Sequence, residues 1–247
     1  MKSRNFFFLL CCTAIPFFFS SCGNNDENKT ATMDADSTAA ATTPTTNSSN
    51  STVVTTPETV LVVTGKIPNY EKWKAAYDAH DSVRKAFGIH NYVIGRGVED
   101  TNMIMVATKA DDVDKAKAFM KDPGVKTAMK KSGATLRSMS LITEVYQDTA
   151  TLGPDVIRSR TSYTVKDWDT WKNSFESHRQ TRLDNGVVDR VYGYDVDDNH
   201  KVSLVVAITD SAKANAFWNS DLIKQQRAEA GVTSKPERFI YRIVQRY

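Results

Sequence analysis

From residue 60 onward, apolar and polar positions follow a definite order of periods. Val60–Ile67 reads as a strand. Trp73, Ala76, Tyr77, His80, Val83 and Phe87 then fall at helical spacing, which predicts one amphipathic helix from Asn69 to Phe87. Gly88 ends it as a left-handed cap. Two alternating runs, Asn91–Val98 and Met103–Thr108, flank Glu99-Asp100-Thr101-Asn102, a hairpin turn by composition. A second helix turns Ala116, Phe119 and Met120 inward and breaks at Pro123. A short helix then runs to Lys131, Gly133 ends it, and a last strand spans Arg137–Tyr146.

The same order returns. At an offset of 98 residues, 18 of the 73 positions from Tyr70 to Ile142 are identical without a gap, where ordinary composition gives about five by chance. Matches include Trp73/Trp171, His80/His178, Arg84/Arg182, Gly88/Gly186, Gly95/Gly193, Phe119/Phe217 and Gly133/Gly231. Two copies are too few for a solenoid and read as a duplicated domain. The copies are expected at 58–147 and 155–247, joined across Asp148–Pro154. In the second copy the strand is Val156–Val165, the helix Asp167–Asn185 and the last strand Arg238–Gln245. Each copy has the βαββαβ order of a ferredoxin-like α+β unit. Such a sheet carries helices on one face and leaves the other uncovered. Two copies in one chain can cover each other, which predicts an eight-stranded pseudo-dimer and a monomeric protein.

The first residues change the picture of placement. Lys2 and Arg4 precede an apolar run from Phe6 to Phe19, broken by Thr13 and Pro16, and Ser20 and Ser21 precede Cys22. This is an export signal over 1–21, too short and too soon interrupted for a spanning helix. Phe19-Ser20-Ser21-Cys22 resembles a bacterial lipobox, which implies cleavage before Cys22 and acylation of its thiol. Phe19 stands where Leu is usual, so ordinary signal cleavage stays open. Residues 22–57 are mostly Asn, Asp, Thr, Ser and Ala and read as a lipidated, disordered tether. Within it, Asp36-Ser37-Thr38 resembles a bacterial O-glycosylation acceptor. The expected location is the cell envelope, with the membrane as partner through the lipid; Gly23 after the cysteine resembles lipoproteins sent to the outer membrane.

Charge and cysteines exclude several classes. The chain has 32 basic and 29 acidic residues; without Lys2 and Arg4 the count is 30 against 29, and no basic arm remains. Nucleic acid is therefore not an expected partner. Cys11, Cys12 and Cys22 are the three cysteines, so the globular part has no disulfide, thiolate metal site or cysteine nucleophile. His80, His90, His178 and His200 show no zinc spacing. Asp195–His200 departs from a calcium loop, with His200 at the glycine position and Val206 at the bidentate one. No metal is expected.

Asn69-Tyr70-x-x-Trp73-Lys74-x-x-Tyr77-Asp78-x-His80-x-x-x-Arg84-x-x-x-Gly88 resembles the first-helix signature of small dimeric α/β-barrel domains, the antibiotic-biosynthesis-monooxygenase and small cyclase-like families. Asp167-Trp168-x-x-Trp171-Lys172-x-x-Phe175-Glu176-x-His178-x-x-x-Arg182-x-x-x-Gly186 repeats it. The resemblance implies an intramolecular α/β-barrel pseudo-dimer and leaves function wide, from cofactorless monooxygenases to haem-binding proteins. The candidate ligand-binding residues are Trp73, Tyr77, His80 and Arg84, and Trp171, Phe175, His178 and Arg182. On one helix stripe they could line an aromatic pocket, with His as base, haem ligand or donor and Arg holding an anion. Read structurally, the same residues are core aromatics, a satisfied histidine and a snorkelling arginine. By alternation Tyr92, Arg96, Arg190, Tyr192 and Tyr194 share one strand face and could line an interior cavity. Two functions are carried forward. One is a non-catalytic binding or interaction module that holds a small hydrophobic or aromatic ligand, or a protein partner, and needs no cofactor. The other is an oxidoreductase of the cofactorless monooxygenase or haem-binding type.

Overall fold

The computed structural model describes residues 51–153 and 155–247. The signal over 1–21, Cys22 and the tether up to residue 50 lie outside the described residues. The first set of elements is β1 (Val53–Val54), β2 (Glu58–Lys66), α1 (Tyr70–Ala79), α2 (Asp81–Ala86), β3 (Ile89–Gly97), β4 (Met103–Ala110), α3 (Val113–Lys121), α4 (Pro123–Lys131) and β5 (Thr135–Asp148). The second is β6 (Ile157–Thr164), α5 (Trp168–Ser177), α6 (Arg179–Asp184), β7 (Val187–Asp195), β8 (Asp198–Ile208), α7 (Ser211–Asn219), α8 (Asp221–Glu229) and β9 (Glu237–Arg246).

The caps explain where the helices start and stop. Asn69 accepts the Lys72 N–H at 2.8 Å and Asp167 accepts that of Thr170 at 2.7 Å, each satisfying a donor that a helix start leaves open. Asp122 caps α4, with Pro123 in its first turn. Gly88 and Gly186 both adopt φ +68°, a region that disfavours any side chain.

The single helices expected over 69–87 and 167–185 are each broken in two. His80 and His178 sit at the breaks with φ near −95° and ψ near +15°. The imidazole Nδ1 of each bonds the carbonyl four residues back, Ala76 O at 2.7 Å and Ser174 O at 2.8 Å. That bond satisfies an acceptor the ending helix would leave open. Helical spacing continues across the break, which is why the pattern reads as one helix.

Each set forms a four-stranded antiparallel sheet, β5-β2-β4-β3 and β9-β6-β8-β7. The sheets join edge to edge, β3 to β9 and β5 to β7, all antiparallel. The result is a closed eight-stranded barrel with helices outside, and β1 continues the line of β2 along β5. Closure removes the open edges that each sheet would otherwise present. Gly95 and Gly193 lie at the two seams. A Cβ on Gly95 would overlap the Tyr241 ring, and one on Gly193 would overlap the backbone at Thr143. Their recurrence in the repeat is thus a consequence of close strand approach. At the second seam the rings of Tyr146 and Tyr192 stack 4.7 Å apart.

Alternation divides the strands between two cores. Val60, Val62, Val93, Met105, Ala107, Ile142 and Tyr241 pack inside the barrel. Leu61, Ile89 and Leu141 face outward to α3 and α4 with Phe119 and Val125, and Ile94, Ile104 and Val106 face Trp73. The shared face expected for Tyr92, Arg96, Arg190, Tyr192 and Tyr194 does not exist. Register shifts leave Tyr92 and Arg190 as extra residues in β3 and β7, and a bulge reverses the alternation beyond it. Tyr92 packs with the barrel interior, while Tyr192 and Tyr194 pack on the helix side against Trp171 and Trp168. Arg96 lies 4.7 Å over the Tyr70 ring.

Candidate functional site

Between the sheet and helices α1, α2 and α4 lies a cavity of about 320 Å³. All four first-copy candidates line it: Trp73, Tyr77, His80 and Arg84. The remaining wall is mostly aliphatic, from Leu61, Val63 and Val106 on the strands to Ala128, Met129 and Met139. The equivalent space in the second set is lined by Trp171, Phe175, His178 and Arg182 but measures only about 70 Å³.

The offset of 98 accounts for the difference. Gly65 becomes Tyr163, Ala128 becomes Gln226, and Met129 becomes Arg227. All three larger residues line the second cavity. Tyr163 accepts a hydrogen bond from the Trp171 indole at 2.9 Å, so ring and phenol hold each other in the space. Opposite Trp73 stands Gly65, which offers no such phenol. Gly65, Ala128 and Met129 are cavity-lining residues that helix periodicity misses; comparing the two copies position by position is the signal that finds them.

The arginines are engaged by the protein itself. Arg84 donates to Tyr77 O at 2.7 Å and Asn91 Oδ1 at 3.0 Å, reaches Asp81 at 3.4 Å, and stacks 3.7 Å from the Tyr77 ring. Arg182 makes a two-pronged pair with Asp189 at 2.7 and 2.6 Å, donates to Phe175 O at 2.5 Å, and stacks on Phe175. Each guanidinium nitrogen has a protein partner, on the helix pair or on the next strand, so the geometry lends no support to the anion-holding role expected from the sequence. The Tyr77 hydroxyl is committed too, donating to Asn91 Oδ1 at 2.6 Å; desolvation by burial raises its pKa.

His80 differs. A carbonyl can only accept, so Nδ1 carries the proton in its bond to Ala76 O. In the neutral ring Nε2 is then an unprotonated acceptor. The imidazole is exposed at the cavity rim and no bond to Nε2 forms among the described residues. His178 has the same Nδ1 bond, while its Nε2 lies 4.0 Å from Glu229.

Haem needs an axial donor and cations for its propionates. Nε2 of His80 could serve as the first. Among the described residues the one cationic side chain lining the cavity besides His80 is Arg84, whose three nitrogens each have a protein partner, and Asp122 adds a carboxylate. The lining therefore does not fit haem and suits an uncharged guest.

No family model and no curated protein matches the chain. Solved structures do. An anthrone oxidase-like protein superposes with a TM-score of 0.52 at 10% identity, covering 78% of this chain and 94% of that one. A putative chlorite dismutase gives 0.54 at 14% identity, covering 76% and 96%. The fold is that of the dimeric α+β-barrel proteins, with both halves carried on one chain.

Proposed function

We propose that the first repeat binds a small, uncharged, largely apolar aromatic molecule, and that His80 serves as the base in its cofactor-independent oxidation by dioxygen. The observation that carries this reading is the open apolar cavity in one copy against the filled one in the other. Duplication preserves structural residues in both copies, whereas an open space kept in one suggests use. The likeness in fold to an anthrone oxidase-like protein favours oxidation over a non-catalytic binding module. In the proposed step, His80 Nε2 takes a proton from an acidic C–H of the guest. The guest anion then passes electrons to dioxygen, and a CH₂ and O₂ become C=O and water. Apart from Asp122 the described wall is mostly aliphatic, so few groups compete with His80 for the proton.

The test uses a hydroxylated polycyclic aromatic probe of the anthrone type, with binding read by tryptophan quenching and turnover by oxygen uptake. Ala128→Trp, which fills the cavity, should abolish binding. His80→Ala should leave binding within about threefold and lower oxygen uptake by about 10²-fold or more. Binding without oxygen uptake would leave the non-catalytic module; equal binding by Ala128→Trp would remove the cavity from either reading.

Placement is proposed on the lipobox resemblance at Cys22. The chain is read as anchored in the cell envelope by acyl groups on that residue. Among the described residues no helix is long and apolar enough to cross a membrane. Cys22→Ala should move the protein from the membrane to the soluble fraction. Light scattering of that form should give one chain, because barrel closure supports a monomer. Retention in the membrane, or a stable dimer, would refute the respective statement.

A further inference from the structure

The barrel interior is asymmetric. On β2 the inward residues are Val60, Val62 and Thr64; at the same positions β6 carries Arg158, Arg160 and Ser162. Two valines of one copy are thus two guanidiniums in the other. A charge moved into a barrel costs heavily unless it is paired. Arg160 makes no ion pair among the described residues. Its Nε is buried without a hydrogen-bond partner, and its one side-chain bond is a long 3.4 Å donation to Ser140 Oγ. Desolvation lowers its pKa. Glu144, the interior carboxylate, is a poor counterion, since burial pushes its own pKa up to about 7 and one of its oxygens is also unpartnered.

Arg160 lines a cavity of about 540 Å³ that opens at one mouth of the barrel. Arg137, Lys201, Lys235 and Arg238 also line it, against the carboxylates Asp195 and Glu237. Five basic residues face two acidic ones, in a chain whose totals nearly balance. Arg238 stacks 4.1 Å over Trp218 and Lys201 pairs with Asp198 at 3.2 Å. Arg137 and Lys235, like Arg160, make no ion pair among the described residues. Ser138, Ser140, Ser162 and Ser203 add hydroxyls to the wall.

We propose that this mouth of the barrel binds a small organic oxyanion, a carboxylate or a phosphate, with the Arg160 guanidinium as its floor. A planar guanidinium with an open donor matches either group. The hydroxyl-rich wall suits a polar molecule, unlike the apolar cavity beneath α1 and α4, so the protein has two sites of opposite chemistry on the two sides of one sheet.

The test is calorimetric titration and thermal shift of the detergent-solubilised full-length protein with inorganic phosphate and with citrate, at constant ionic strength set by chloride. Either anion should bind and raise the melting temperature, as a ligand of the folded state must. Whichever binds more tightly names the group recognised. Arg160→Gln should weaken binding about tenfold or more, the loss of one charge-assisted contact. Arg137→Gln, at an exposed rim position, should weaken it about threefold and keeps the test valid if the interior variant unfolds. Lys130→Gln, on α4, should change nothing. Absence of binding by both anions at 10 mM (about the weakest useful affinity), or equal binding by wild type, Arg160→Gln and Arg137→Gln, would overturn the proposal.

Discussion

Asp189→Ala should lower the unfolding free energy by about 3–5 kcal/mol, among the larger losses a single substitution can cause here. Asp189 and Arg182 are both almost fully buried, with side chains 5% and 7% exposed. Their two-pronged contact satisfies both carboxylate oxygens and two of the three guanidinium nitrogens. Removing the carboxylate strands a charge beneath Phe175, with one backbone carbonyl left to bond. Removing both charges should cost far less, so Arg182→Met with Asp189→Leu should recover most of the loss. The first repeat supplies an internal comparison. Its equivalent of Asp189 is the neutral Asn91, and Asp81 remains beside Arg84 at 3.4 Å. Asn91→Ala should therefore cost only about 1–3 kcal/mol. Urea unfolding of the three variants decides the matter; a loss below about 1 kcal/mol for Asp189→Ala would show that the pair does not hold α6 to β7.

The second large effect is a loss of stability with rising pH, traced to Glu144. Desolvation raises its carboxyl from 4.5 to about 7, Glu58 adds repulsion, and Lys109 and Arg160 offset part of this. The folded state then holds a proton that the unfolded chain gives up between these two values. Stability from this group is fully present below the unfolded value and is lost as pH rises through the folded one. The shift corresponds to a loss on the order of 3 kcal/mol. Glu144→Gln, neutral at every pH, should flatten the decline between pH 5 and pH 8 and leave the variant more stable than wild type at pH 8. Denaturant midpoints at both pH values test this, and an unchanged decline in the variant would clear Glu144 of responsibility.

Much of the candidate site was legible in the chain because it lies on local periodicity. Trp73, Tyr77 and His80 recur with Trp171, Phe175 and His178 at one spacing, and a helix places such residues together whatever surrounds them. The roles of Arg84 and Arg182 were not legible. Their partners Asn91 and Asp189 come from the next strand, and only the packing of helix on sheet shows that every nitrogen is used. Nor could spacing reveal that one pocket is open and the other filled. That depends on Gly65 or Tyr163 arriving from a strand to meet Ala128 or Gln226 from a helix.

The sequence by itself determined the duplication, the βαββαβ order, the helix ends at Gly88 and Gly186, and the apolar helix stripes. Each is a local property, read through backbone sterics or through periods of 2 and 3.6. Tertiary structure decided the rest. Edge-to-edge closure at Gly95 and Gly193 depends on how closely two distant strands approach. The bulges at Tyr92 and Arg190 insert a residue that alternation cannot register, because partner strands, not the chain itself, define what is extra. The charged barrel interior arises in the same way: Arg160 and Glu144 look like ordinary surface residues of two strands until closure turns that face inward and takes its water away.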